Sequence, residues 1–125
     1  MRQYFDSESC AYTYLLFDAV KNQAVIIDPV LEQMDRDLDA IEKLDLNLLG
    51  ILETHVHADH ITAAYEIRKK NGVLIYYGSE SDVDGADVLL KDGDAIQVGQ
   101  FDIKTIHTPG PVSYTHLTLP TICSV

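Results

Sequence analysis

Residues 48–60 decide the fold, and they read Leu48-Leu49-Gly50-Ile51-Leu52-Glu53-Thr54-His55-Val56-His57-Ala58-Asp59-His60. The stretch begins with a short apolar run, which is typical of a β-strand buried on both faces. It ends with three imidazoles and a carboxylate. If the backbone stays extended past the strand, His55 and His57 point the same way, because side chains in a strand alternate with a period of two. Two nitrogen ligands at that spacing can share one metal ion.

The same stretch carries two further candidate ligands, Asp59 and His60, which can face the same ion or a second ion nearby. Imidazole and carboxylate ligands suit zinc, iron or manganese. Since the motif has no thiolate, it favours an open catalytic site over a closed structural zinc site. A single histidine, or an isolated His-x-His pair, could belong to a polar loop that binds no metal. Three of the five histidines of the chain lie here, so the stretch predicts a metal site.

Strand and helix patterns alternate on both sides of this motif. The sequence predicts strands over 11–17, 24–28, 48–52 and 73–77, helices over 31–44 and 61–70, and a hairpin over 96–105. Gly72 is a plausible helix stop, because glycine accepts the left-handed conformation that is common just past a helix C-terminus. This alternation predicts an α/β layer architecture.

Composition limits the class of protein. The chain has 125 residues, of which 46% are hydrophobic and 23% charged, which is enough for one domain with a real core. Its net charge of −11 argues against nucleic acid and anionic membranes as partners, since both are polyanions. No apolar run approaches the ~20 residues of a membrane span. The first residues lack the apolar stretch of a signal peptide, which predicts a cytoplasmic location.

The two cysteines, Cys10 and Cys123, are too few for a disulfide framework. Cys10 is expected in a strand, as a buried packing residue.

Beyond composition, the sequence resembles a known family. The pattern His55-x-His57-x-Asp59-His60 after an apolar strand resembles the signature of the metallo-β-lactamase superfamily, and residues 9–16, 27–30 and 54–62 resemble its persulfide dioxygenase branch. In the related glyoxalase II enzymes, an aromatic residue often stands at the position of Ala58, and Gly usually stands at the position of Val30. The resemblance implies an α/β fold, the N-terminal half of an αββα sandwich with the metal site at one edge of its two sheets.

The resemblance also implies an activity, the oxidation of glutathione persulfide to sulfite and glutathione. Persulfide dioxygenases hold one Fe(II) ion with two histidines and one aspartate, and His55 corresponds to the first of those histidines. Hydrolytic relatives hold two metal ions, with His55 and His57 at the first and Asp59 and His60 at the second. We therefore expect His55, His57, Asp59 and His60 as metal ligands, with Asp59 also in a catalytic role. The implied partner is a small thiol substrate, and the complete protein is expected to allow a homodimer.

Two alternatives stay open. The first is a glyoxalase II-like hydroxyacylglutathione thioester hydrolase, which would use Zn(II) and a glutathione thioester. The second is a non-catalytic fragment that binds metal weakly or not at all.

The pattern breaks near the C-terminus. His107-Thr108-Pro109-Gly110 resembles the lead-in to the family's second histidine site, but Pro111 stands at the ligand position. His107 itself is expected to be a strand-end residue rather than a ligand. Residues 112–121 resemble the conceptual translation of a sequencing-library adaptor. We therefore expect a partial domain over 1–110 and a non-native tail over 111–125. The chain as written is expected to be inactive, with the apolar runs 24–27 and 48–52 exposed on one face.

Overall fold

The structure is a computed structural model that describes residues 1–55, 62–78, 85–108 and 114–118. Two sheets form its frame. The larger sheet contains, in spatial order, β1 (Arg2–Asp6), β2 (Ala11–Asp18), β3 (Gln23–Ile27), β4 (Asn47–Leu52), β5 (Leu74–Gly78) and β6 (Val88–Leu90). The smaller sheet contains β7 (Ala95–Val98), β8 (Phe101–Thr108) and β9 (Tyr114–Thr118). A 3-10 turn at Leu31–Gln33 leads into α1 (Met34–Lys43), and α2 spans Ala64–Asn71.

The larger sheet is mixed. Strands β1, β2 and β3 pair antiparallel, whereas β3 through β6 pair parallel. The crossovers from β3 to β4 and from β4 to β5 carry α1 and α2 respectively, because parallel neighbours need a long connection. The predicted α/β class is therefore confirmed.

Two apolar clusters lie on opposite faces of the larger sheet. On one face, Ile41 of α1 and Ile67 of α2 pack against Ile26 and Ile51. On the other face, Val98 and Ile103 of the smaller sheet pack in a cluster with strand residues of the larger one. The resulting order of layers is helices, sheet, sheet, which matches the first three layers of the αββα sandwich.

The expected exposure of the apolar strands is wrong. Each residue from Ala24 to Ile27 is no more than 1% exposed, and so are Ile51 and Leu52. They are buried because the β7–β8 hairpin covers the face opposite the helices.

Cys10 does not lie in a strand. It is exposed and has a φ of 58° in the turn between β1 and β2. The Asp6 carboxylate holds this turn by accepting hydrogen bonds from the Ser9 hydroxyl at 2.6 Å and the Ser9 N–H at 3.1 Å. The hydrogen bond from the Ser9 hydroxyl, followed by one from Gln33, lowers the pKa of Asp6 to about 2. The expectation of a buried cysteine was therefore wrong.

The remaining predicted elements have clear counterparts. Helix α2 ends where Gly72 takes a φ of 69° and its N–H donates to the Arg68 carbonyl at 2.7 Å. The hairpin over 96–105 is confirmed as β7 and β8. Strand β9 pairs antiparallel with β8, and the domain division after residue 110 stays a prediction. No helix of the described ranges is both long and apolar enough to span a membrane.

Candidate metal centre

Asp28 follows β3 directly and has an unusual backbone conformation. It has a φ of 53° and is 7% exposed. Its N–H donates to the Leu52 carbonyl at 2.9 Å, and its own carbonyl accepts a bond from the Thr13 hydroxyl at 2.9 Å. Its carboxylate accepts bonds from the Thr54 N–H at 2.8 Å and the Thr54 hydroxyl at 2.5 Å. A left-handed non-glycine residue is costly and persists where its surroundings fix it, as these four hydrogen bonds do.

Thr54 connects Asp28 to His55. The Thr54 Oγ1 lies 2.8 Å from the His55 Nδ1. The single hydroxyl proton of Thr54 goes to the Asp28 carboxylate, which can only accept, so Thr54 Oγ1 accepts from the His55 Nδ1–H. An imidazole protonated at Nδ1 carries its lone pair on Nε2, and a hydrogen bond of this kind orients a metal-binding histidine. His55 therefore fits a metal ligand.

Thr62, on the C-terminal side of the predicted ligands in the sequence, makes a second set of contacts. Thr62 forms an isolated antiparallel bridge with Val30, and the Ala63 N–H donates to the Pro29 carbonyl at 3.0 Å. We call residues 55–61 the histidine segment and Asp28–Val30 the anchor segment. The residues on both sides of the histidine segment thus bond to the same anchor segment.

The Thr62 side chain is held by Glu53. The Thr62 hydroxyl donates to the Glu53 carboxylate and accepts a bond from the Ala64 N–H at 3.1 Å. Glu53 is 3% exposed, and its own N–H donates to the Tyr76 carbonyl at 2.9 Å. This network connects the end of β4 to the start of α2.

Tyr77 of β5 lies beside these carboxylates. It is 4% exposed, and burial raises the pKa of Tyr77 well above its usual range, with further contributions from the Glu53 charge and from Tyr65, including a side-chain hydrogen bond. The phenol therefore stays protonated at neutral pH. The charge of Asp28 also raises the pKa of Tyr77, so two buried acids, Asp28 and Glu53, act on this phenol.

The structure describes only one of the four predicted ligands. His55 is half-buried at the end of the β4 strand, whereas His57, Asp59 and His60 lie outside the described residues. Within the described ranges, no group of three His, Cys, Asp or Glu side chains could hold a metal ion. The donor set of the motif, imidazole with carboxylate, suits Fe(II) and Zn(II). The four-ligand assignment stays a prediction.

His107 lies near the end of β8 and is half-buried. The backbone N–H of His107 donates to the Asp92 carboxylate at 2.8 Å.

Sequence reasoning missed Glu53 and Thr62. A usable signal was present, because Asp28 and Glu53 each follow a buried apolar strand directly. Strands β3 and β4 are parallel neighbours, so their carboxyl ends meet at one edge of the sheet, where α/β proteins place their sites.

Comparison with known proteins agrees with the fold and the motif. The family model of the metallo-beta-lactamase superfamily matches residues 11–117. The chain belongs to this superfamily.

Within the superfamily, the chain is similar to persulfide dioxygenases. It is 42% identical over 123 residues to the Bos taurus protein named persulfide dioxygenase ETHE1, mitochondrial, a match that covers 91% of this chain and 46% of that protein. The crystal structure of ETHE1 from Myxococcus xanthus has a TM-score of 0.89 and 44% identity, covering 94% of this chain and 52% of that chain. A hydroxyacylglutathione hydrolase from Synechocystis sp. is 34% identical over 102 residues, which is 79% of this chain and 39% of that protein.

The chain spans about half the length of these relatives. The bovine relative is named mitochondrial, and the cytoplasmic location inferred from the sequence stays a prediction.

Proposed function

We propose that this chain forms the N-terminal half of a persulfide dioxygenase that converts glutathione persulfide to sulfite and glutathione. The observation that carries the proposal is the difference in similarity over the same half of the fold. Identity to persulfide dioxygenases is 42–44%, against 34% for the hydroxyacylglutathione hydrolase. The Asp28-Pro29-Val30 step adds support, because Val30 is fully buried and pairs with Thr62.

The proposed cofactor is Fe(II), held by residues drawn from His55, His57, Asp59 and His60, with Asp59 also in a catalytic role. Iron supplies the redox chemistry that dioxygen needs, whereas zinc has none to offer. The contribution of the described residues is positional, since Asp28 and Thr54 fix the ring of His55 with Nδ1 protonated. In a hydrolase with two Zn(II) ions, His55 and His57 would hold the first ion, and Asp59 and His60 the second.

The proposed substrate is a small thiol derivative of glutathione. The names of the hydrolase relatives include glutathione, and the net charge of −11 disfavours a polyanionic partner. A homodimer of the complete protein is part of the proposal.

The activity test requires a protein of full length. Residues 1–110 of this chain are joined to the C-terminal half of the Myxococcus xanthus protein, and the product is loaded with Fe(II). We expect an oxygen electrode to record uptake that depends on glutathione persulfide and is lost on His55→Ala and on loading with zinc. The 125-residue chain alone is expected to stay at background, because Pro111 stands where the resemblance places the second iron-binding histidine and a catalytic site normally fixes its metal with three protein ligands.

A second function, thioester hydrolysis, is favoured by the similarity to the Synechocystis protein. An absorbance assay with S-lactoylglutathione separates the two activities. Robust hydrolysis without oxygen uptake would replace the proposal with a glyoxalase II-like hydrolase. Metal binding without either activity would favour the non-catalytic alternative.

A further inference from the structure

We propose that Glu53 is a positioning residue for the metal site, acting through Thr62 on the C-terminal side of the histidine segment. The inference deepens the proposed function, because it rests on residues 55–61 carrying the metal ligands. Its geometric basis is the hydrogen bond from the Thr62 hydroxyl to the Glu53 carboxylate.

Buried carboxylates bind the residues on both sides of the histidine segment. On its N-terminal side, the Asp28 carboxylate binds the N–H and hydroxyl of Thr54. On its C-terminal side, the Glu53 carboxylate binds the hydroxyl of Thr62. Both threonines also lie against the anchor segment, since Thr62 pairs with Val30. Flanking residues that are already fixed in this way do not have to be ordered when an ion binds, which lowers the entropic cost of binding.

Glu53 is a buried acid. Burial of a carboxylate is costly and has to be offset by hydrogen bonds or charge partners, whereas packing alone would be met by an apolar side chain of similar size. Glu53 is 3% exposed and lies close enough to the buried Tyr77 to raise its pKa. A divalent cation bound by the predicted ligands would interact favourably with the charges of Glu53 and Asp28, because a bound ion is often the largest local charge.

The Thr62 hydroxyl links Glu53 to the start of α2. It donates to Glu53 and accepts from the Ala64 N–H at the first residue of α2. The α2 N-cap residue, Ala63, makes no side-chain cap bond, so Thr62 satisfies one of the helix's first N–H groups in its place. The residue that follows the histidine segment is thereby tied to the start of α2.

The experiment measures metal affinity of the 125-residue chain itself, with Co(II) as the probe and its visible absorption bands as the readout. Thr62→Val removes the hydroxyl at nearly constant volume, and Thr62→Ser keeps it. Glu53→Gln keeps an acceptor oxygen and removes the charge. Thr105→Val is the matched control, because Thr105 is 1% exposed and its hydroxyl has no hydrogen-bond partner in the described part of the chain.

We expect Thr62→Val to weaken Co(II) binding by ~10–100-fold, as loss of an outer partner of a metal site typically does. Thr62→Ser should keep most of the wild-type affinity. The Co(II) affinity of Glu53→Gln should lie between those of Thr62→Val and Thr62→Ser, and Thr105→Val should bind Co(II) as the wild type does. Circular dichroism at the titration temperature establishes that each variant is folded, so a loss of affinity reports on positioning rather than on unfolding.

The failures of the two proposals are distinguishable. Equal Co(II) affinity of wild type and Thr62→Val, with a reduced unfolding midpoint, would overturn the positioning role and leave the metal site intact. A wild-type chain that binds no Co(II), at a concentration where a full-length relative is saturated, would also overturn the positioning role, while oxygen uptake by the full-length fusion tests the proposed function independently.

Discussion

Among single residues, Asp28 makes the contacts that matter most to the candidate site. It combines a left-handed backbone with a carboxylate that holds Thr54 by two hydrogen bonds. Aspartate is one of the few non-glycine residues that enter this region readily. The conformation turns the chain at the end of β3 and brings the carboxylate to the end of β4.

Replacement of Asp28 by alanine is expected to lower the free energy of unfolding by ~2–4 kcal/mol, because two partly buried donors on Thr54 lose a charged acceptor. Urea unfolding monitored by circular dichroism measures the loss. Asp45→Ala is the control, since Asp45 is exposed and has the same φ of 53°. We expect it to cost less than ~1 kcal/mol. Equal losses in the two variants would mean that the bonds to Thr54 contribute nothing.

At the level of elements, helix α1 contains a buried acid with incomplete hydrogen bonding. The Asp37 side chain is 0% exposed, and its Oδ1 lies 3.0 Å from the Arg36 Nε. Its Oδ2 has no hydrogen-bond partner among the described residues. Burial raises the pKa of Asp37 to about 6, against a smaller opposing effect of Arg36.

This raised pKa makes the stability of the fold depend on pH. Between its ordinary value of 3.8 and about 6, the folded protein binds the Asp37 proton more tightly than the unfolded chain does. Its contribution to stability is therefore fully present below pH 4 and declines as pH rises towards 6. A shift of this size corresponds to about 3 kcal/mol.

Asp37→Asn keeps the shape of the side chain and removes its titration. From pH 4 to pH 7, we expect the wild type to lose up to ~3 kcal/mol of unfolding free energy relative to the variant. Asp39→Asn, on the exposed face of α1, should change stability by less than ~0.5 kcal/mol at both pH values. If the difference in unfolding free energy between Asp37→Asn and the wild type did not change with pH, that result would contradict the raised pKa of Asp37.

The β7–β8 hairpin depends on one glycine where it meets the larger sheet. Gly99 has a φ of 58°, and its N–H donates to the Gln23 side-chain oxygen at 2.8 Å. The N–H of Gln100 donates to the Asp18 carboxylate at 2.7 Å. A Cβ on Gly99 would lie 2.1 Å from that same carboxylate, so there is no room for a side chain.

Gly99→Ala is expected to lower the free energy of unfolding by ~2–5 kcal/mol, the sum of left-handed strain and overpacking. Gly93→Ala is the control, because Gly93 also has a positive φ, 90°, but a Cβ there would meet nothing within 4 Å. That control should lose only ~1–2 kcal/mol. Thermal unfolding of the two variants measures the difference, and similar losses would contradict the importance of the close packing of Gly99 against Asp18.

The elements with a strong periodic or apolar pattern could be predicted from the sequence. Strand β4 and the helix stop at Gly72 follow from patterns of a few neighbouring residues. The short strands β1 and β6 were missed, because edge strands carry little apolar signal. The exposed turn at Cys10 was missed because it depends on hydrogen bonds to Asp6, which come from Ser9 and, across 27 positions, from Gln33. The pairing of Glu53 with Thr62 depends on tertiary contacts, so local pattern could not reveal it.

At the level of the whole molecule, the two sheets leave an open groove between them. It has a volume of about 520 Å³ and is lined mainly by apolar side chains, among them Val25, Tyr76, Leu90 and Ile96. Val25, Tyr76 and Leu90 come from the larger sheet and Ile96 comes from β7, so both sheets line the groove.

The net charge of −11 predicts a stability that rises with salt. Mutual repulsion of acidic side chains disfavours the compact state, and the Debye length falls from ~30 Å at 0.01 M to ~10 Å at 0.1 M salt. We expect the thermal midpoint to rise by a few degrees between these concentrations of sodium chloride. Glycerol at matched osmolality serves as the control. A midpoint that falls with salt would indicate that attractive pairs such as Arg68 with Asp87 outweigh the repulsion.

The order of strands in the larger sheet is the same as their order in the chain. Each strand therefore pairs with the one that leaves the ribosome just before it. Asp28 and Thr54 are 26 positions apart, a length that translation adds in about 1–5 seconds at ~5–20 residues per second. The contact that orients His55 thus joins residues that are made within seconds of each other, so we expect a nascent chain to present the His55 ring in a fixed orientation as soon as β4 has paired with β3.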